Sequence, residues 1–151
     1  MTAAERREQE QALGERLGLA ADGNPDWKRL SRKLLRIGGR ALVVPWGDEP
    51  HLADLVERGG SMTTRFAVQF PGAPRECHWN VIRLCEASAG TVHVGTGYAL
   101  TSDGLWQQHS WGVNAKQIVE TTEMREAYFG VVLTPREAKS FAKKLGGLAR
   151  L

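Results

Sequence analysis

The sequence predicts an α+β fold with N-terminal helices, then a central helix packed on an antiparallel β-meander, and a C-terminal helix. Apolar residues recur at helical spacing early in the chain and again over 76–87, whereas residues 91–133 alternate in the manner of strands. Seventeen glycines and six prolines interrupt these patterns with tight turns, which argues against a plain helix bundle. Helices followed by neighbouring strands are typical of the α+β class.

The length of 151 residues fits a single domain, residues 1–151, with 1–60 as a helical N-terminal extension. Hydrophobic residues make up 42% and charged residues 25%, which excludes a disordered or fibrous chain. No apolar run reaches the roughly 18 residues of a membrane span, and the charged N-terminus lacks the apolar run of a secretory leader. We therefore expect a cytoplasmic protein without a membrane partner.

The N-terminal part is predicted to be mainly helical. A first helix covers 2–19, and Asn24 and Pro25 then provide the cap and the first position of a second helix. The apolar stripe of that helix consists of Trp27, Leu30, Leu34 and Ile37. The following elements are a strand at 41–44, a helix at 48–58 and a strand at 65–70 that ends in a Pro-Gly-Ala-Pro turn.

The central helix is predicted over 76–87, because small and apolar residues follow one of its faces. This face consists of Cys77, Val81, Leu84, Cys85 and Ser88. Four strands follow, at 91–100, 105–113, 117–122 and 128–133. A capping box of Thr134 and Glu137 begins the last helix, which we expect to end near Leu145, before Gly146-Gly147.

Two stretches of the chain are basic, and the net charge is +3. The first contains Lys28, Arg29, Arg32, Lys33, Arg36 and Arg40. The second contains Arg136, Lys139, Lys143, Lys144 and Arg150. No aromatic residues are interleaved with them as in single-strand binding proteins, so we expect solvated helix faces with at most weak, non-specific binding of anions.

Cys77 lies in the first turn of the central helix, where the helix dipole favours a thiolate and free N–H groups can hold an oxyanion. Cys85 is two turns further along, about 12 Å away along the helix axis, so the two thiols cannot form a disulfide within this helix. His109 and Glu120 lie on consecutive strands. A turn at Asn114-Ala115-Lys116 would place Glu120 directly opposite His109, or Thr121 if the register differs by one residue.

These residues resemble the core of the transglutaminase-like branch of the papain-like cysteine hydrolase superfamily, over Cys77 to Thr122. The matching positions are Cys77, Gly97-Tyr98, His109-Ser110-Trp111 and Glu120-Thr121-Thr122. The chain departs from the pattern at two places. Glu120 stands where the family usually has Asp, and Arg75-Glu76 stands where a glycine often precedes the cysteine.

The resemblance implies thiol-dependent chemistry on a peptide or protein amide, by hydrolysis, deamidation or transfer to an amine. Cys77 would be the nucleophile, His109 the acid and base, and Glu120 the group that orients the imidazole. The family also suggests Gln69 as a side-chain oxyanion donor. Further residues expected to line the cleft are His78, Trp79, Asn80 and Trp111.

Two other classes of function remain open. The first is a metal site built from Cys77, His78, Cys85, His93 and His109, although the tight ligand pairs of structural zinc sites are missing. The second is an inactive binding or adaptor module of the same fold that uses the basic helices. We expect neither a cofactor nor a metal.

Overall fold

The computed structural model of the protein describes residues 1–149, so Arg150 of the second basic stretch lies outside it. The helices are α1 (Ala3–Gly23), α2 (Asp26–Ile37), α3 (Leu52–Arg58), α4 (Cys77–Ala87) and α5 (Pro135–Ala149). The strands are β1 (Ala41–Leu42), β2 (Gly60–Met62), β3 (Val68–Gln69), β4 (His93–Leu100), β5 (Leu105–Asn114), β6 (Gln117–Glu120) and β7 (Ala127–Val132). The predicted α+β class, with N-terminal helices and a C-terminal helix, is confirmed.

The sheet is mixed, with the strand order β2-β7-β4-β5-β6-β3. Strands β4, β5 and β6 form the expected antiparallel meander, but β7 crosses back to pair with β4 instead of β6. Two short strands join in parallel, β1 on β5 and β3 on β6. The long strands β4 and β5 therefore lie in the middle of the sheet, where their residues are largely buried.

Contacts between side chains of strands that are not neighbours show that the sheet is curled. In a flat sheet with about 4.8 Å between strands, β6 and β7 would lie about 14 Å apart. The hydroxyl of Tyr128 on β7 nevertheless donates to Glu120 Oε1 on β6 at 2.7 Å. The concave face encloses an apolar cluster that includes Trp111, Ile118 and Tyr128.

The helices cover the opposite face of the sheet. Leu30 and Leu34 of α2 are fully buried in the same cluster as Val81 of α4 and Trp106 of β5. Helix α1 has no buried residue of its own and is held at its side by Arg40, which binds Glu10 at 3.2 Å. Part of the first basic stretch is therefore neutralised within the protein.

Several predicted boundaries differ from those in the structure. Strand β2 was not expected, and α3 begins at Leu52 instead of residue 48. Helix α5 continues through Gly146-Gly147, since a glycine inside a helix costs only about 1 kcal/mol and does not by itself end it. The buried residues of α4 include Val81 and Ile82, whereas Leu84 and Cys85 of the expected face are only half-buried. No helix in the described part of the chain is both long and apolar enough to cross a bilayer.

Candidate active site

A break in the pairing along one edge of β5 determines where the candidate site lies. On this edge β1 pairs with Leu105 and Trp106, and β6 pairs only with residues from Gly112 onwards. The first turn of α4 meets β5 between these two ladders. Successive β5 residues point to opposite faces of the sheet, yet both His109 and Ser110 face this turn, because Cys77 interacts with the first and His78 with the second.

Cys77 is the first residue of α4 and is half-buried. Glu76 precedes it without capping the helix through its side chain, so the N–H groups of the first turn stay available to a ligand. Arg75 adopts a left-handed backbone conformation with φ of 62°. This is the conformation that glycine adopts most easily.

His109 connects the thiol to a buried carboxylate. The imidazole is 2% exposed, and its Nε2 donates to Glu120 Oε1 at 2.8 Å and Oε2 at 3.0 Å. Because Nε2 is occupied in this way, Nδ1 is the ring nitrogen that remains to exchange a proton with Cys77, which lines the same cavity. The ring also stacks on Trp111, with 6.1 Å between the ring centres. Carboxylate and aromatic ring together fix the orientation of the imidazole.

The strand register that brings His109 and Glu120 together differs from the predicted one. Gly112 pairs with Val119 and Asn114 with Gln117, so the turn contains only two residues. Ala115 in this turn has a left-handed φ of 54°. Extending the ladder places Glu120 opposite Trp111, and His109 is its diagonal neighbour. The predicted pairing of Glu120 directly opposite His109 was therefore wrong by two residues. Because side chains alternate every two residues along a strand, Glu120 still lies on the expected face.

Glu120 is fully buried, and each of its oxygens accepts hydrogen bonds. Besides His109, the donors are the hydroxyl of Tyr128 and both the N–H and the hydroxyl of Thr122. Burial raises the pKa of Glu120, but the bonds from His109, Tyr128 and Thr122 outweigh it and hold the pKa below its usual value. The carboxylate is therefore ionised at neutral pH.

The electrostatics favour a thiolate next to an imidazolium. Burial alone would raise the pKa of Cys77, but the hydrogen bonds and charges of His109 and His78 lower it to about 5. For His109, burial lowers the pKa, while the bonds to Cys77 and Glu120 outweigh burial and raise it. The pKa of the imidazole therefore lies above that of the thiol, so a proton shared by the pair resides on His109. By contrast, burial raises the pKa of Cys85.

A second chain of polar groups lies on the other side of the thiol. His78 Nδ1 lies 2.6 Å from the hydroxyl of Ser110, which in turn lies 2.9 Å from the hydroxyl of Thr96. Both hydroxyls are buried. This chain holds the ring of His78 beside Cys77 and thereby places a second imidazole next to the sulfur.

Cys77 and His109 open into a cavity of about 530 Å³. Its walls also contain Pro71, Gly72, Arg75, Gln108, Thr121 and Arg125. The volume lies within the range of about 300–1,000 Å³ that is usual for sites binding small molecules or short segments. His78, expected to line the cleft, borders a different cavity. Trp79, Asn80 and Trp111, also expected there, do not line the cavity around Cys77 either.

Each of these three side chains packs elsewhere for a physical reason. Trp111 lies beneath His109, fully buried, with its Nε1 on the sulfur of Met62. Trp79 packs against the apolar core. Asn80 holds the loop before Cys77, since its side-chain amide accepts from the N–H of Ala73 and donates to the Ala73 carbonyl.

The side chain of Gln69 is occupied by a structural contact. It lies on an exposed strand at the edge of the sheet and donates to the carbonyl of Thr122 at 2.6 Å. It does not line the cavity around Cys77. The glutamine that does line this cavity is Gln108, whose amide donates to Glu49 at 3.0 Å.

Several site residues were not found from the sequence. Ser110 lies inside the His-Ser-Trp motif, but nothing in the sequence indicates that it contacts His78 on α4. Tyr128 begins a strand far along the chain, and only the curl of the sheet brings it to Glu120. The sequence carried no signal for Arg75 and Arg125 beyond their charge.

Comparisons with known proteins add nothing to this geometry, since no family model, curated protein or solved structure matches the chain. Within residues 1–149, no group of three or more His, Cys, Asp or Glu side chains is arranged to hold a metal ion. Cys85 and His93 of the alternative metal set thus share no ligand cluster with Cys77, His78 or His109.

Proposed function

We propose that the protein performs thiol-dependent acyl chemistry on an amide bond, with Cys77 as nucleophile, His109 as acid and base, and Glu120 as the group that orients the histidine. The observation that carries this proposal is that Cys77 and His109 line the same cavity, while the imidazole is hydrogen-bonded to a fully buried carboxylate. The combination of nucleophile, base and orienting acid is the arrangement that activates nucleophiles in many unrelated hydrolases.

The reaction begins with the thiolate of Cys77 attacking the carbonyl carbon of the amide. A C–S bond forms, and the π electrons of the carbonyl move to its oxygen. When the tetrahedral intermediate collapses, the C–N bond breaks, and His109 gives its Nδ1 proton to the departing amine. Water or a second amine then attacks the thioester, loses a proton to His109 and releases the thiolate.

The beginning of α4 supports the developing oxyanion. The side chain of Glu76 does not cap the N–H groups of Cys77 and the next residues. These groups project from the end of α4 that borders the cavity. Such preorganised donors stabilise negative charge that appears only in the transition state. In this proposal the backbone provides the oxyanion site and Gln69 stays in its structural contact.

The presence of glutamate instead of aspartate fits the observed register. Glu120 lies diagonally to His109, and diagonal neighbours on adjacent strands are separated by about 7–8 Å at Cα, further than direct opposites. The additional methylene of glutamate spans this distance and leaves the carboxylate 2.8 Å from Nε2. The departure from the family pattern at this position therefore supports the proposed role of Glu120.

The proposal is tested with a panel of peptides and acyl amides that carry a fluorogenic amine. We expect wild-type protein and Cys85→Ala to release the amine, and Cys77→Ala and His109→Ala to release none. Adding a primary amine separates hydrolysis from transfer, since transfer yields the new amide. If no amide is turned over and Cys77 has ordinary thiol reactivity, the alternative of an adaptor module replaces this proposal.

A further inference from the structure

Two arginines line the cavity that contains Cys77 and His109, and one of them lacks a close counter-ion. The side chain of Arg125 is only 15% exposed. Its Nη1 donates to the carbonyl of Glu123 at 2.8 Å, and the carboxylate of Glu123 lies 3.9 Å away with 94% of that side chain exposed. Nε of Arg125 is fully buried and has no hydrogen-bond partner among the described residues.

A buried cation with an unpaired N–H is costly unless an anion compensates it. The charges of Cys77, His109 and Glu120 are taken up within their own set, since Glu120 accepts from His109, Tyr128 and Thr122. Arg75 adds a second positive charge to the wall, and Glu123, which reaches into solvent, is the one acid lining the cavity. In the described part of the chain, the guanidinium of Arg125 therefore has no anion within hydrogen-bond distance, since Glu123 lies 3.9 Å away.

We propose that Arg125, assisted by Arg75, binds a carboxylate of the substrate next to the amide that Cys77 attacks. This proposal rests on the proposed function and names its substrate class, an amide that bears a nearby carboxylate. With Nη1 engaged by Glu123, the free edge of the guanidinium is formed by Nη2 and Nε. This edge matches the two oxygens of a carboxylate, and a small rotation of the side chain exposes Nε to them.

The first test uses two alkylating reagents that differ in charge and need no known substrate. Iodoacetate carries a carboxylate beside its reacting carbon, and iodoacetamide carries a neutral amide in its place. We compare the rates at which each modifies Cys77, measured by mass spectrometry of the Cys77 peptide. The imidazolium of His109 attracts iodoacetate in every variant, so the change in the rate ratio on substitution isolates the arginines.

For Arg125→Gln we expect the ratio of iodoacetate to iodoacetamide rates to fall about fivefold, which is the effect of one unit charge at about 4 Å in water. Arg125→Lys keeps the charge and should retain most of the ratio. Arg65→Gln is the matched control, because Arg65 is exposed and does not line the cavity. Added salt should reduce the wild-type ratio and leave that of Arg125→Gln nearly unchanged.

The proposal is overturned if the ratio of iodoacetate to iodoacetamide rates is unchanged in Arg125→Gln. It is also overturned if this ratio falls in Arg75→Gln but not in Arg125→Gln. A thermal melt that matches wild type shows that the variant is folded. These failures are distinct from that of the proposed function. If Cys77 alkylates no faster than Cys85 with iodoacetamide, the activated thiol itself is wrong.

The second test locates the carboxylate on the substrate. Matched peptides carry Glu or Gln on the acyl side of the amide, or a free or amidated C-terminus on the leaving side. We expect the acid of one pair to be turned over with the higher kcat/KM, and this preference within the pair to disappear in Arg125→Gln. Equal rates within both pairs contradict the proposal.

Discussion

Replacing Glu120 by Gln removes one charge while keeping the shape of the side chain. The variant amide has one oxygen, and Thr122 N–H, which can only donate, requires that oxygen at the position of Oε2. The NH2 group then occupies the position of Oε1, facing Nε2 of His109 and the hydroxyl of Tyr128. An Nε2–H would then face this NH2 group at the shorter of its two contacts and keep only the longer one to oxygen, which favours the tautomer with Nε2 as acceptor and the ring proton on Nδ1.

This tautomer cannot accept a proton from the thiol, so the thiolate loses its main partner. Cys77 has a pKa of about 5 with both imidazoles in place, against an ordinary value of 9.0. At pH 7 that difference corresponds to nearly complete ionisation against about 1%. Because His78 still contacts the sulfur, we expect only part of this difference to be lost: a midpoint one to two pH units higher lowers the rate of alkylation at pH 5 about five- to fiftyfold. Losing charge-assisted bonds to a buried carboxylate also costs about 2–4 kcal/mol of stability.

The assay is the rate of iodoacetamide modification of Cys77 from pH 4 to 9, with Cys85 in the same digest as internal reference. Wild-type reactivity should rise with a midpoint near 5, well before that of Cys85. In Glu120→Gln the midpoint should move up by about one to two pH units. Glu123→Gln is the control, since that exposed carboxylate does not contact His109. A midpoint that stays near 5 in Glu120→Gln refutes the orienting role of the carboxylate.

Three other predictions concern stability. Arg75→Gly should raise the free energy of unfolding by about 0.5–1 kcal/mol in urea titrations because φ is 62°, whereas Arg75→Ala should not. Gly39→Ala should lower it by about 2 kcal/mol, since φ is 76° and the new Cβ would lie 2.7 Å from Leu100 Cδ1. Between pH 5 and 6.5 the unfolded chain holds protons on both Cys77 and His109, whereas the folded protein holds one only on His109. Because the unfolded state binds more protons, the free energy of unfolding of the wild type should rise with pH by about 2 kcal/mol over this range. The Cys77→Ala variant should lack this rise. A wild-type profile that is flat over this range contradicts the lowered pKa of Cys77.

The order of the elements other than β2, and the strand face of Glu120 relative to His109, could be predicted because they depend on local periodicity. Cys77 was expected at the start of a helix, where α4 begins, and Glu120 on the same face as His109, where it lies. Alternation along a strand fixes the face even when the register is wrong by two residues. The register itself depends on the left-handed backbone of Ala115, which nothing in the residue type indicates.

Contacts that depend on the curvature and the edges of the sheet could not be predicted. The gap between β1 and β6 along β5 lets α4 reach both His109 and Ser110, and no local pattern shows where a ladder ends. Trp111 was placed in the cleft because it lies two residues from His109, but that spacing puts it beneath the imidazole in the concave face. In both cases the missing information is long-range.

The hydrogen bond between Tyr128 and Glu120 makes the surroundings of the carboxylate depend on a strand that is synthesised after Cys77, His109 and Glu120. The ribosome makes Cys77, His109 and Glu120 before it makes β7, which carries Tyr128 and closes the concave face. Until β7 pairs with β4, the carboxylate lacks one of its donors and stays open to water, which weakens its hold on the imidazole. A nascent chain that ends before residue 127 thus carries an unassembled triad. Under the proposed function, the thiol therefore gains its complete set of partners only after β7 has been made and has docked.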